Sequence, residues 1–258
     1  MKLLPGGNLG PVHRMGDTVR RPAGPWTPTV HSVLRQLRDR GFDLAPMPVS
    51  FDKKYEILSY LPGETAEPEP WPAWVWSDDL LCDAAHAARA LHDASEGVDV
   101  GESPIWRMAN LDSSAFANGD RLVICHNDFA PYNVVAVEGR LVGIFDWDLM
   151  TLGSRVADLA FMTWQWVPLH HGKLAEQLGY ADQRSLGRRL RIFLDAYGFD
   201  DRATFVDDIV ARIQRSIDGI TSHAIAGDPI FQKLINDGHT VAMQRTITHI
   251  DSIRPQLS

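Results

Sequence analysis

A short polar segment after an apolar run constrains this chain more than any other feature. His126, Asp128 and Asn133 form the pattern H-x-D-x-x-x-x-N, and Asp146 follows a second apolar run at 141–145. Both apolar runs have the length and composition of buried strands. Because the polar residues then lie at the ends of neighbouring strands, we predict that their side-chain oxygens converge on one place.

Such a set of oxygen donors suits phosphoryl transfer. That reaction needs Mg²⁺ to neutralise the triphosphate and a carboxylate to orient the attacking hydroxyl. Mg²⁺ prefers one or two carboxylates together with phosphate oxygens. We therefore predict that Asp128 is the base and that Asn133 and Asp146 hold the metal. Isolated Asp and Asn residues often only form turns, but the joint spacing of these three favours a functional role.

The same residues resemble the aminoglycoside phosphotransferase and choline kinase-like family, which shares the protein-kinase fold. The kinase catalytic loop has the same Asp-to-Asn spacing, and Asp146 matches the metal-binding Asp of D-F-G. In this family that Asp is commonly followed by Trp and an acidic residue, as in Asp146-Trp147-Asp148, and later by Gly and then Asp-Leu-Ala, here Gly153 and Asp158-Leu159-Ala160. The resemblance implies an ATP- or GTP-dependent kinase that uses Mg²⁺ and phosphorylates a hydroxyl of a small molecule.

The resemblance also implies an α+β, bilobal protein-kinase-like fold. Its small antiparallel β lobe, with a reduced N-terminus, is predicted at 1–61 and binds the nucleotide. A hinge and connection follow at 62–76. The larger, mainly helical lobe at 77–258 carries the catalytic loop, the metal site and a helical acceptor-binding region.

Local patterns agree with this architecture. Extended runs at 12–15 and 18–21 flank Gly16-Asp17, a pair suited to a tight hairpin turn. A helix is predicted from Thr27 or Thr29 to Gly41, because its apolar residues recur at helical spacing. A second, Ala-rich helix is predicted after Ser77, and the chain beyond Ala157 has a mostly helical pattern.

Further nucleotide-binding residues follow from the resemblance. The segment Gly6-Gly7-Asn8-Leu9-Gly10 provides glycines for a loop over the phosphates, so Gly7 and Gly10 are candidate phosphate contacts. Thr18-Val19-Arg20-Arg21-Pro22 resembles the V-A-I-K segment of kinases, with Arg20 at the lysine position. Arginine keeps the positive charge and can bind phosphate with two parallel hydrogen bonds.

Two other features of the small lobe are implied by the family pattern. The helix after the Arg20 strand contains no Glu, so the usual Lys–Glu ion pair is missing or replaced, with His31 as a candidate participant. The strand at 55–61, followed by Pro62-Gly63, resembles the last small-lobe strand and hinge. Backbone groups of Tyr60 and Leu61 are therefore expected to bind the purine.

Several polar residues are predicted to support the site. His126 is interpreted as a core histidine that braces the loop through a backbone hydrogen bond. Asp148 either helps to hold the metal or shapes its loop, and Asp158 supports the catalytic loop or caps a helix. His170 and His171 have no partners at metal-ligand spacing and are predicted to be exposed.

Charge and composition narrow the choice of partners. The 258 residues include 25 Lys and Arg against 33 Asp and Glu, a net charge of −8. This charge disfavours nucleic acid and favours a positively charged small substrate. The C-terminal part carries a run of acids that is interpreted as a solvated face: Asp195, Asp200, Asp207, Asp208 and Asp218.

The expected location is the cytoplasm, without membrane partners. No apolar stretch approaches the ~18 residues of a membrane span, and the N-terminus has no apolar segment of a signal peptide. The expected partners are a nucleotide and a small-molecule acceptor. The pattern leaves open an aminoglycoside-like molecule, an amino alcohol or a sugar as the acceptor, ATP or GTP as the donor, and the oligomeric state.

Two alternatives come from other classes of protein. Arg20 in place of lysine and the missing helix glutamate suit a catalytically inactive kinase-fold protein that only binds a nucleotide or small molecule. Asp146-x-Asp148 also resembles the metal motif of a nucleotide-sugar glycosyltransferase. That second alternative leaves the segment from His126 to Asn133 without a function.

Overall fold

Antiparallel strands form the first part of the chain in the computed structural model, which describes residues 1–4, 10–67, 69–108 and 121–257. Five strands pair in the order β1-β2-β3-β5-β4. They are β1 (Lys2–Leu4), β2 (Val12–Met15), β3 (Thr18–Pro22), β4 (Pro48–Phe51) and β5 (Tyr55–Ser59). The predicted hairpin joins β2 to β3, and Gly16 takes a φ of 63° in its turn, as a tight hairpin requires.

Helix α1 (Thr27–Asp39) lies between β3 and β4 in the chain and contacts β4. Pro28 lies in its first turn, where the missing N–H costs no hydrogen bond. Val30, Val33, Leu34 and Leu37 are buried at the i, i+3, i+4 and i+7 positions. The helix therefore forms and ends as its apolar spacing predicts.

The segment after β5 attaches to a second hairpin. That hairpin consists of β7 (Val134–Val137) and β8 (Arg140–Ile144). Glu64 and Ala136 exchange backbone hydrogen bonds of 2.8 Å. At Gly63, a Cβ atom would lie 2.5 Å from the carbonyl oxygen of Ala136, so only glycine allows this close approach.

The remaining described elements are mainly helical. They are α2 (Asp78–Ser95), β6 (Val123–Cys125), β9 (Thr151–Gly153), α3 (Arg155–Trp166), α4 (Gly172–Gln177), α5 (Leu186–Tyr197), α6 (Phe205–Ile225), α7 (Pro229–Asn236) and α8 (His239–Leu257). Ser77 caps α2 by accepting a hydrogen bond from the Leu80 amide. The fold is the predicted α+β, protein-kinase-like arrangement.

The main hydrophobic core lies beneath the loops that carry the predicted site. Phe129 and Trp147, from the two loops, are buried in this core together with Trp166 of α3. Short strands β6 and β9 pair with each other, and β6 contacts both α2 and α3. A packed base of this kind holds loop side chains in fixed positions. Within the described ranges, no helix is long and apolar enough to cross a membrane.

Candidate active site

The catalytic-loop segment connects β6 to the β7–β8 hairpin. After β6, a 3₁₀ turn at Pro131–Asn133 leads directly into β7. The carbonyl of Asn133 accepts a 2.9 Å hydrogen bond from the amide of Phe145, which places the loop after β8 beside it. Asp128 and Asp146 line the same cavity, of about 470 Å³. The convergence expected from the spacing is therefore present in the fold.

Two hydrogen bonds hold the carboxylate of Asp128. Its Oδ1 accepts from the Tyr132 hydroxyl at 2.6 Å, and its Oδ2 accepts from Asn133 Nδ2 at 2.8 Å. Burial raises the pKa of Asp128 to about 7, and the nearby charge of Asp146 adds to this effect, although both hydrogen bonds oppose it. A carboxylate with such a pKa suits a general base that works near neutral pH.

His126 and Asp158 brace the loop from inside the core. His126 Nε2 donates to the Phe145 carbonyl at 3.1 Å, and its Nδ1 accepts from the Asp128 amide. Asp158 accepts from the amides of His126 and Asn127 and from His92 Nε2. Burial alone would raise the pKa of Asp158, but the hydrogen bond and charge of His92 lower it overall. Both residues thus have the supporting positions that the sequence predicted.

Asn127 is a supporting residue that the sequence patterns did not single out. It adopts the left-handed conformation, with a φ of 63°, which Asn tolerates better than most residues. Its Nδ2 donates to the Leu149 carbonyl and to Thr151 Oγ1, each at 2.9 Å. Asn127 therefore fastens the catalytic loop to the loop that carries Asp146.

Asp146 and Asp148 share one arginine from the β sheet. Arg21 Nη1 lies 2.9 Å from Asp146 Oδ1, and Nη2 lies 2.6 Å from Asp148 Oδ1. Burial raises the pKa of Asp148 to about 6 while Arg21 opposes the rise. Burial by itself would lower the pKa of Arg21. The carboxylates of Asp148, Asp146 and Glu56 raise the pKa by more than this, so the guanidinium stays charged.

Arg21, and not Arg20, faces the carboxylates of Asp146 and Asp148. Successive side chains of a strand point to opposite faces, and Arg20 lies over the ring of Tyr55, 3.8 Å from its centroid, away from the carboxylates. The structure therefore does not bring Arg20, the residue predicted at the lysine position, to these carboxylates. Because the two arginines are adjacent in the sequence, the pattern alone did not show which of them points to the carboxylate face of β3.

Glu56 of β5 supplies the carboxylate that helix α1 lacks. Its Oε1 lies 2.8 Å from Arg21 Nε, and its Oε2 lies 2.8 Å from His31 Nε2. Glu56 stands directly opposite Arg21 in the β3–β5 register. His31 thus participates, as the sequence suggested, but the ion-pair partner of the arginine comes from the neighbouring strand.

Of the other predicted nucleotide contacts that the structure describes, Gly10 lines the cavity and Tyr60 and Leu61 do not. Gly7 falls outside the described residues. The Tyr60 amide donates to the Asp17 carbonyl at 2.8 Å, so this amide is already engaged. Leu61 packs against Gly143, where a Cβ atom would lie 2.9 Å from Leu61 Cδ1.

The donor set fits a divalent cation that arrives with phosphate oxygens. Asn133 uses its Nδ2 on Asp128, and no described residue bonds to its Oδ1 or to Asp146 Oδ2. The side chain of Asp146 is 44% exposed. The described parts of the chain contain no group of three or more His, Cys, Asp or Glu residues that could hold a metal alone. Sites that share Mg²⁺ with a nucleotide typically use few protein ligands.

The cavity continues from the carboxylates to aromatic and basic residues. Trp71 and Trp164 line it, whereas Trp166 is buried and donates to the Phe129 carbonyl. The prediction that His170 is exposed is wrong, because this residue is buried and lines the cavity. The five C-terminal acids do not line it and are half-buried or exposed, in agreement with their interpretation as a solvated face: Asp195, Asp200, Asp207, Asp208 and Asp218.

Comparisons with known proteins agree with this geometry. The model of the phosphotransferase enzyme family, APH, matches residues 96–193. A trifolitoxin immunity protein from Rhizobium leguminosarum bv. trifolii is 33% identical over 212 residues, covering 80% of this chain and 78% of that protein.

Solved phosphotransferases share the fold at low sequence identity. Macrolide 2'-phosphotransferase MphH from Brachybacterium faecium has a TM-score of 0.57 at 14% identity, covering 88% of each chain. Amicoumacin kinase hAmiN, solved with AMP-PNP, Ca²⁺ and Ami, has a TM-score of 0.60 at 13% identity, covering 91% of this chain and 81% of that one. The family model, the similarity to the trifolitoxin immunity protein and the shared fold agree, and the chain belongs to the phosphotransferase enzyme (APH) family.

Proposed function

We propose that this protein transfers the γ-phosphoryl group of ATP or GTP to a hydroxyl of a small molecule. Asp128 is the base, and Asn133 and Asp146 hold Mg²⁺. The observation that carries the proposal is that Asp128 and Asp146 line one cavity, with Asp128 held by Tyr132 and Asn133. The nucleotide lies between a small lobe at 1–61 and a large lobe at 77–258, joined by 62–76.

The proposed chemistry assigns the proton to Asp128. Its carboxylate accepts the proton of the acceptor hydroxyl as the hydroxyl oxygen bonds to the γ-phosphorus and the nucleoside diphosphate leaves. Tyr132 and Asn133 fix the direction of that carboxylate, since both hydrogen-bond its oxygens. When bound, Mg²⁺ neutralises the charge of the phosphate oxygens.

We propose that Arg21 has the phosphate-binding role of the kinase lysine. Glu56 and His31 hold its position from one side, and its two Nη atoms face Asp146 and Asp148. A guanidinium in this place can exchange a carboxylate for a phosphate oxygen. The remaining nucleotide-binding proposals are the loop glycines and the hinge backbone: Gly7, Gly10, Tyr60 and Leu61.

The decisive experiment is an acceptor screen with purified protein, Mg²⁺ and ATP or GTP, read by mass spectrometry. The panel includes trifolitoxin and macrolides, because the relatives named above include a trifolitoxin immunity protein and a macrolide phosphotransferase. Asp128→Ala is expected to abolish phosphorylated product while leaving nucleotide binding nearly intact. Full activity of this variant would exclude Asp128 as the base.

A catalytically inactive binding protein is the second candidate. The observation that favours it is that Arg21 already pairs with both carboxylates of the metal loop. A thermal-shift titration with Mg²⁺ and AMP-PNP separates the two, because a ligand that binds the native state raises its stability. Absence of any shift supports a fold that no longer binds nucleotide.

A further inference from the structure

Apart from Asp128, Asp146 and Asp148, the cavity has mostly apolar walls. Residues of α3, α6, α7 and α8 and of the loop after β8 contribute large apolar side chains, among them Leu149, Phe161, Trp164, Ile220, Phe231 and Met243. Outside the three carboxylates of the phosphoryl-transfer site, Glu69 is the one acidic residue among the described lining residues. Such walls suit an apolar ligand whose few polar groups meet fixed partners.

Arg212 of α6 is a buried cation in this wall. Its side chain is 3% exposed, and it donates to Ser216 Oγ and, at 3.4 Å, to Asn127 Oδ1. No carboxylate of the described residues forms an ion pair with it. Burial lowers the pKa of Arg212 to about 10, although the nearby charges of Asp158 and Asp128 oppose this effect, so Arg212 remains charged at neutral pH. Because a guanidinium has five N–H donors and buried charges are normally paired, Arg212 has donors left for a ligand.

His170 is a second donor in the same wall. Its Nδ1 lies 3.1 Å from Trp164 Nε1, and an indole nitrogen can only donate, so Nδ1 is the acceptor. Burial lowers the pKa of His170 to about 4, which keeps the ring neutral. The ring proton is therefore on Nε2, which is buried and has no partner among the described residues.

We infer that the phosphoryl acceptor is a largely apolar, hydroxyl-bearing molecule with a carboxylate, which Arg212 binds, and with a further oxygen that accepts from His170. The inference rests on the proposed function, because it describes the acceptor of that reaction. Both wall groups are hydrogen-bond donors, so the ammonium groups of a polycationic amine, which carry no acceptor, cannot pair with them. Arg107 also lines the cavity and opposes such a cation. The negative net charge therefore belongs to the surface and does not predict the charge of this ligand.

Two fluorescent probes of one ring system test the wall directly. The probe 1-anilinonaphthalene-8-sulfonate is aromatic and anionic, whereas N-phenyl-1-naphthylamine lacks the sulfonate. We expect the sulfonate probe to bind the native protein at one site, at least tenfold more tightly than the neutral probe. Arg212→Met should weaken the sulfonate probe by about tenfold or more, as loss of a charged hydrogen bond does, and change the neutral probe less than about twofold. Arg215→Met, on the same helix but outside the cavity lining, should change neither.

A second variant keeps the test informative if Arg212→Met does not fold. Ser216→Asp places a carboxylate one helical turn from Arg212, where Ser216 Oγ already accepts from it. This variant should fold and should lose the preference for the sulfonate probe, because Arg212 is then paired within the chain.

Three outcomes would overturn the inference. They are equal affinity of the two probes for the native protein, equal weakening of both probes by Arg212→Met, and displacement of the sulfonate probe by kanamycin, a polycation. A parallel thermal-shift titration with Mg²⁺ and AMP-PNP reports on the nucleotide site alone. Failure of the proposed kinase function is therefore distinguishable from failure of the acceptor assignment.

Discussion

Replacement of Asp128 by Asn should make the nucleotide-free protein more stable while it removes activity. In the folded protein, burial raises the pKa of Asp128 to about 7, from the ordinary value of 3.8 for an exposed Asp. Asn has no charge to desolvate. It also keeps both hydrogen bonds, because its Oδ1 accepts from Asn133 while its Nδ2 donates to the hydroxyl of Tyr132.

The magnitude and its pH dependence follow from this difference in pKa. Between the unfolded and folded pKa values, the folded state binds the additional proton, so the stability of the wild type falls as pH rises through this window. At about 1.4 kcal/mol for each pKa unit, the penalty reaches about 4 kcal/mol at pH 8 and declines to below about 1 kcal/mol at pH 4. Asp128→Asn removes this penalty, so its stability gain should follow the same course.

Urea unfolding of the two proteins between pH 4 and 8 measures this effect. At pH 8 the variant should have the higher free energy of unfolding, by up to about 4 kcal/mol, with an unchanged dependence on urea concentration. Turnover should fall by about 10²–10⁴, the usual contribution of a general base. Asp43→Asn, at an exposed ion pair, is the matched control and should show no comparable gain. An Asp128→Asn protein that is less stable than wild type at pH 8 would refute the argument that burial raises this pKa.

The remaining predictions concern the groups around Asp128, Arg21 and the acceptor wall. Glu56→Gln should destabilise the protein by about 3 kcal/mol in urea unfolding, because it leaves Arg21 buried with less compensation; a loss below about 0.5 kcal/mol would contradict this. His170→Gln should reduce the loss of stability on acidification, since the folded pKa near 4 costs the wild type up to about 3 kcal/mol as pH falls from 6.5 to 4; parallel pH profiles would argue against it. Tyr132→Phe should move the acidic limb of kcat/KM to higher pH, because the lost hydrogen bond favours the ionised carboxylate; an unmoved limb would show that Tyr132 does not stabilise that ion.

The catalytic loop was predictable because its chemistry depends on spacing along the chain. Asp128 and Asn133 lie five positions apart in the same loop. Asp146 follows the β7–β8 hairpin, which begins directly after Asn133, so local geometry brings the three residues together. The helices after residues 26 and 77 were predictable for a similar reason, because an apolar face at helical spacing needs no distant partner to be recognised.

The other parts of the site depend on pairings that a single sequence does not contain. The choice of Arg21 over Arg20 is decided by which face of β3 meets the interior. The partnership with Glu56 is decided by the β3–β5 register. Arg212 and His170 reach one wall only because α6 packs against α3 and the loop after α3 turns inward. Each of these arrangements depends on tertiary packing, which local sequence patterns do not reveal.

Two of the three ion pairs of Arg21 connect the β sheet to the loop after β8, whereas the third, with Glu56, lies within the sheet. The guanidinium of Arg21 on β3 forms ion pairs with Asp146 and Asp148, which follow β8. These ion pairs link the sheet to the helical part of the molecule. An incoming anion that binds the guanidinium of Arg21 competes with these ion pairs, and it also frees the two carboxylates to bind a cation. We therefore expect that binding of an anion at Arg21 and release of Asp146 and Asp148 are coupled in this protein.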